Sequence, residues 1–144
     1  LVFRSLADNN TIIEDMSRIK ELTMHSVLII EDDEFVMNML KQTFERAGYD
    51  VGTASNGSEG LKLYHSKPFD VVITDLIMPE MEGIETISVL RKDNPDIRVI
   101  AISGGGRNSP EDYLYLAKKL GAARTFPKPV DRNMLLEAVK ELVG

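Results

Sequence analysis

Five short apolar runs, each followed by a turn and then a segment of helical period, leave this chain few architectures. The runs are "SVLII" (Ser26–Ile30), "DVGTA" (Asp50–Ala54), "DVVIT" (Asp70–Thr74), "IRVIAIS" (Ile97–Ser103) and "ARTFP" (Ala123–Pro127). Several lack strict apolar–polar alternation, the pattern of parallel strands covered on both faces. Between them, Phe35, Met39, Leu40, Phe44 and Ala47 form a helical stripe that Gly48 closes. Leu61 with Tyr64, and Ile84, Ile87, Val89 with Leu90, mark two further helices, ended by Pro68 and by Asn94-Pro95. Ser109-Pro110 with Asp112 reads as a helix start, and Asp131 caps the last helix, which runs to Leu142.

Alternating strands and helices imply an α/β fold, a doubly wound five-stranded parallel sheet with helices on both faces. Right-handed crossovers favour the flavodoxin-like order 2-1-3-4-5. In that order, sites gather at the carboxyl ends of the strands, beside the switch point between the first and third strands.

Composition narrows the function classes. The 144 residues suit one domain with a full core. A formal net charge of −6 argues against direct nucleic-acid binding, because phosphate backbones attract basic surfaces. The absence of cysteine excludes disulfides, thiol nucleophiles and Cys-ligated zinc. No apolar run approaches the roughly 18 residues of a membrane span, and "LVFRSL" is too short for a signal-peptide core. The expected location is cytoplasmic.

The strand ends carry the chemistry. Strand one ends on Glu31, Asp32 and Asp33, and strand three on Asp75. Like charges ~5 Å apart at an effective dielectric of ~20 repel by about 3 kcal/mol, so acids gathered there call for a cation. Hard oxygen ligands favour Mg²⁺. Strand four ends on Ser103, before Gly104, Gly105 and Gly106, and strand five leads into Lys128 and Pro129. Metal-binding acids, a carboxylate nucleophile, a hydroxyl and an ammonium suit a phosphoryl group. Taken singly each residue has a plain reading: Asp75 as a turn residue, and Glu31 to Asp33 as acids favoured at a helix N-terminus. The glycines match neither a P-loop nor a dinucleotide fingerprint. His25 and His65 stand apart from the acids in this layout.

Four segments, "VLIIEDD", "VVITDLIMPEMEG", "VIAISGG" and "KPV", close successive strands in one order. On these the chain resembles the receiver domain of two-component response regulators, from His25 or Ser26 to Gly144. The resemblance implies that Asp75 is the phospho-acceptor. It implies that Glu31 and Asp32 hold Mg²⁺ with Asp75 and the backbone carbonyl of Ile77, Asp33 having a minor role. Ser103 and Lys128 would bind the phosphoryl group, Gly104 occupies a position kept small, and Pro79 and Gly83 shape the loop after the acceptor. The donor would be a histidine kinase or phosphotransfer protein. The output would be a protein partner met through the fourth helix, fifth strand and fifth helix, with Tyr113 and Tyr115 as contacts.

Two departures stand out. Receivers often carry an aromatic three residues before the lysine; here that residue is Thr125, and Phe126 follows, pointing to the opposite face. Ile77 and Gly105, at positions that influence phosphoryl lifetime in the family, offer no polar side chain, so a long-lived acyl phosphate is expected. A switch, not a turnover enzyme, is therefore the expectation. The rival is a Mg²⁺-dependent phosphohydrolase with Asp75 as nucleophile, but its general acid would stand at Ile77. Residues 1–24 lie outside the resemblance as an N-terminal extension, with 25–144 the receiver. There Ile12, Ile13, Met16, Ile19 and Leu22 form an apolar stripe, and Thr11 with Glu14 resembles a capping box.

Overall fold

In a computed structural model, residues 24–78, 82–104 and 110–144 are described, except for the side chains of Pro110 and Tyr113. The stripe of residues 12–22, Pro79, Gly105, Gly106, Ser109 and the Tyr113 side chain lie outside the described residues. The elements alternate as read: β1 (Ser26–Ile30), α1 (Glu34–Arg46), β2 (Asp50–Ala54), α2 (Gly57–Ser66), β3 (Val71–Asp75), α3 (Gly83–Asp93), β4 (Arg98–Ser103), α4 (Pro110–Lys119), β5 (Arg124–Pro127) and α5 (Arg132–Val143). All strand pairs are parallel and the order is β2-β1-β3-β4-β5.

Local chemistry explains the boundaries. Asp33 caps α1, its side chain accepting from the N–H groups of Phe35 (2.9 Å) and Val36 (3.2 Å). Gly48 follows the helix at φ +93°, a left-handed conformation that glycine reaches without a Cβ clash. Asp131 caps α5 in the same way. Strand β3 starts one residue later than the apolar run suggests. Asp70 is held just outside the strand, its carboxylate accepting from Ser26 N–H at 2.8 Å.

Period-two alternation splits the core into two layers. Leu28, Ile30, Val72, Leu76, Val99 and Ala101 face α2, α3 and α4. Val27, Ile29, Val71, Ile73, Ile100 and Ile102 face α1 and α5, against Leu40, Phe44, Leu135 and Val139. Strands β1 and β3 are wholly buried, which is why their sequences read as continuous apolar runs. Phe126 packs with the α1/α5 layer, on the face expected from its parity. Among the described residues, no helix is long and apolar enough to cross a membrane.

Candidate functional site

Strand geometry delivers Glu31, Asp32 and Asp75 to one edge of the sheet. β1 and β3 are hydrogen-bonded neighbours, with Ile30 opposite Thr74, so the residues that follow them emerge side by side. One carboxylate oxygen from each acid lies within 4.8 Å of the others. Glu31 is 1% exposed and Asp75 4% exposed, whereas Asp32 faces solvent.

The backbone around Asp75 is pinned on several sides. Leu76 N–H donates to Ile102 O at 3.0 Å, and Gly83 N–H donates to Leu76 O at 3.0 Å. Thr74 Oγ1 donates to Asp75 O at 2.9 Å, and Ile77 N–H donates to Asp75 Oδ1 at 3.3 Å. These bonds hold the backbone that bears the carboxylate, and the one from Ile77 N–H reaches the carboxylate itself.

Lys128 reaches in from the edge strand. Its N–H donates to Ser103 O at 2.9 Å, and its Nζ donates to Glu31 Oε1 at 2.7 Å and Asp75 Oδ2 at 3.2 Å. The side chain crosses Gly104, where a Cβ would stand 2.3 Å from Lys128 Cβ. The small residue at 104 thus has a steric cause, namely passage of the lysine stem.

One ammonium faces two buried carboxylates, so the site lacks positive charge. Burial, helped by the charge of Asp75, pushes the Glu31 carboxyl up to about 7 despite the bond from Lys128. Burial pulls the Lys128 ammonium down, but its bond to Glu31 and the charges of Asp75 and Glu31 outweigh it, and the net direction is upward. Glu31 Oε2 and Ser103 Oγ are both buried without a hydrogen-bond partner among the described residues. Unmet polar atoms beside clustered acids are what a divalent cation and an anionic group would satisfy.

Other expectations resolve simply. Ser103 closes β4, one residue beyond Ile102, the register partner of Asp75. Asp33 is spent on capping α1. His25 lies 3.4 Å from Asp70 and His65 2.8 Å from Asp93, both exposed and paired with those carboxylates. Two features were not read from sequence. Gly83 opens α3 with its Cα against the backbone of Asp75 and Leu76, and the Lys128–Pro129 peptide is cis. Neither is signalled by the residues around it in the chain.

The family model described as the response regulator receiver domain matches residues 27–140. The chain belongs to this family. It is 35% identical over 117 residues to chemotaxis protein CheY of Thermotoga maritima, covering 81% of this chain and 95% of that protein. It is 31% identical over 115 residues to the transcriptional regulatory protein GlrR of Escherichia coli, covering 80% of this chain and 25% of that protein. A response regulator receiver domain from Clostridium thermocellum superposes with a TM-score of 0.77 at 32% identity, covering 83% and 94% of the two chains. The receiver is thus a module of two-component phosphorelay systems, found at nearly full length in one relative and as a quarter of another.

The raised Glu31 carboxyl makes the metal-free receiver sensitive to pH. Its ordinary value is 4.5 and its folded value about 7, so the folded state binds the proton more tightly than the unfolded chain. Stability then falls as pH rises through that window, by about 3 kcal/mol at most for a shift of this size. Urea titrations in chelator should show this decline for the wild type, and a flatter profile for Glu31→Gln. Parallel profiles would remove Glu31 as the cause.

Proposed function

We propose that this receiver is a phosphorylation-dependent switch in which Asp75 accepts a phosphoryl group from a histidine kinase or phosphotransfer protein. The observation that carries this reading is the bridging of buried Glu31 and Asp75 by one lysine, with Asp32 alongside. Glu31, Asp32, Asp75 and the Ile77 carbonyl are the residues that would hold Mg²⁺, and the deficit of positive charge fits that ion. When bound, the ion supplies positive charge against the oxygens of the transferring group.

The chain's own residues divide the remaining work. An Asp75 carboxylate oxygen forms the new P–O bond as the P–N bond to a donor imidazole breaks, the leaving nitrogen keeping the electron pair. Lys128 Nζ, already 3.2 Å from Asp75 Oδ2, stays charged and neutralises a phosphoryl oxygen. The Ser103 hydroxyl, without a partner among the described residues, donates to another oxygen. The product adds roughly one to two negative charges beside Lys128. That draws Lys128 and Ser103 toward the phosphoryl group and shifts a two-state equilibrium of the loops that bear them.

The output surface in this reading is α4–β5–α5, where Tyr115 (61%), Leu116 (48%) and Met134 (59%) are exposed. Thr125, on β5, stands in place of an aromatic ring. We place the protein in the cytoplasm, where a kinase of this type meets its regulator. Turnover as a phosphohydrolase is disfavoured because Ile77 offers no general acid.

Intact-mass analysis with acetyl phosphate and Mg²⁺ separates the readings. One phosphoryl adduct, absent in Asp75→Asn and chelator, and decaying over minutes or longer, is the expected result. Continuous release of phosphate would support the hydrolase instead. No adduct and no release would end both.

A further inference from the structure

The two outer strands of the sheet are unlike. β5 carries Arg124 and Pro127, residue types that discourage pairing with a further strand. β2, the other edge, has no basic residue and no proline. Asp50 N–H donates to His25 O at 2.9 Å, and Glu31 N–H donates to Ala54 O at 3.0 Å. Asp50, Gly52 and Ala54 therefore turn their backbone groups toward β1. Val51 and Thr53, of the opposite parity, point their N–H and C=O groups outward, with no backbone partner among the described residues. This open stretch has defined ends. Lys67 pairs with the Asp50 carboxylate at one, and Glu59 Oε2 takes Ser55 N–H at 3.0 Å at the other.

A hollow lies on each side of that edge, and Thr53 and Ala54 line both. The hollow toward α1 is acidic, with Glu31, Asp32, Glu34 and Glu59 in its lining and no lysine or arginine. Lys128 holds Glu31 Oε1, while Glu31 Oε2 is buried without a partner among the described residues. The hollow toward α2 is lined by Leu63, Lys62 and Ser66 and is the more apolar of the two.

We propose that the outer edge of β2 takes an extended segment of another protein as a sixth strand, basic at one parity and apolar at the other. The outward groups of Val51 and Thr53 supply the backbone hydrogen bonds for such an addition. Successive side chains of the added strand fall on opposite faces of the sheet. Its lysines or arginines then enter the hollow of Asp32, Glu34 and Glu59, and its apolar side chains meet Leu63.

Charge selects this occupant over a second copy of the chain. Two β2 edges laid together would offer each acidic hollow only the residues of "DVGTA", which include an acid and no base. The pairing goes beyond phosphoryl acceptance and does not rest on it. β2 and β5 stand at opposite ends of the sheet, so a strand bound here leaves the α4–β5–α5 surface open.

Amide exchange in the full chain, followed by NMR, tests the proposal with an acetylated, amidated hexapeptide that alternates lysine and valine. Exchange at Val51 and Thr53 should slow by about tenfold or more, while Gly52, already paired with β1, should not change. Glu34→Lys should raise the peptide concentration required severalfold. A strand presents the N–H groups of one parity to its neighbour, so N-methylation of either the lysines or the valines, but not of both, should abolish the effect. Equal loss or equal retention in the two methylated peptides would overturn the proposal. So would an equal effect from a peptide of three lysines followed by three valines, which would reduce the binding to charge alone. Absence of slowing with the alternating peptide would also end it. Slow exchange at Val51 and Thr53 without peptide would show the edge already covered, by the chain itself or, if lost on dilution, by a second copy, and would equally overturn it.

Discussion

Gly83→Ala is expected to destabilise the receiver by roughly 3 kcal/mol and to abolish phosphoryl uptake at Asp75. A Cβ at position 83 would stand 2.2 Å from Asp75 O and 2.6 Å from Leu76 Cα. Both neighbours are backbone, held by the bonds from Gly83 N–H to Leu76 O and from Leu76 N–H to Ile102 O. Relief therefore requires moving the Asp75–Leu76 peptide itself. Gly60 provides the contrast, because its added Cβ would meet Ile30 Cδ1 at 2.4 Å, the far end of a side chain. Relief there displaces one buried side chain, whose Cγ1 would also stand at 2.8 Å, and no backbone, and alanine regains up to about 1 kcal/mol of helix propensity over glycine. Urea titration of the two variants should rank Gly83→Ala as the far costlier. Equal costs would refute the backbone argument.

The second large effect belongs to Lys128→Met. Removing one member of a buried charge cluster costs about 3 to 5 kcal/mol, because the remaining charges lose their partner. Here Glu31 and Asp75 would face one another with no ammonium between them. The Lys128 side chain is 23% exposed, which places the expectation near the lower end. The pH dependence carries a definite sign. The Glu31 carboxyl stands at about 7 with the ammonium in place and moves further upward without it, so the variant holds its proton where the wild type loses it, and the loss grows as pH rises past that value. Urea titrations in chelator on either side of that value test this. A pH-independent deficit would mean that the lysine contributes packing alone.

Much of this was legible in the sequence because parallel strands are buried on both faces. Runs such as "SVLII" and "DVVIT" have no surface to accommodate, so they stand out as unbroken apolar stretches. Their ends were legible for the same reason, since Glu31 and Asp75 are abrupt changes of character after such runs. Asp131 announced its helix through side-chain capping, a local interaction that needs no knowledge of the fold, whereas Asp33, expected only as one of the acids at a helix N-terminus, proves to cap α1 in the same way.

What stayed hidden depends on contacts between distant segments. Nothing near Gly83 in the chain says that its Cα rests on the Asp75 carbonyl. Nothing near Gly104 says that a lysine stem passes over it from position 128. The true start of β3 was equally out of view, because Asp70 is drawn off by Ser26, 44 residues earlier. The exposure of Phe35 also ran against its place in the apolar stripe of α1. Periodicity gives the angle of a side chain around the helix, but not whether a neighbouring element covers it.

The reach of Lys128 has a mechanical consequence. β5 is the outermost strand and is paired only with β4, so hydrogen bonds hold it from one side. The lysine that follows it strides over β4 to grip acids beyond β1 and β3. The periphery of the sheet is thereby moored to its middle by a single flexible cable. Whatever pulls on that cable at the centre is felt as a change of tension at the rim.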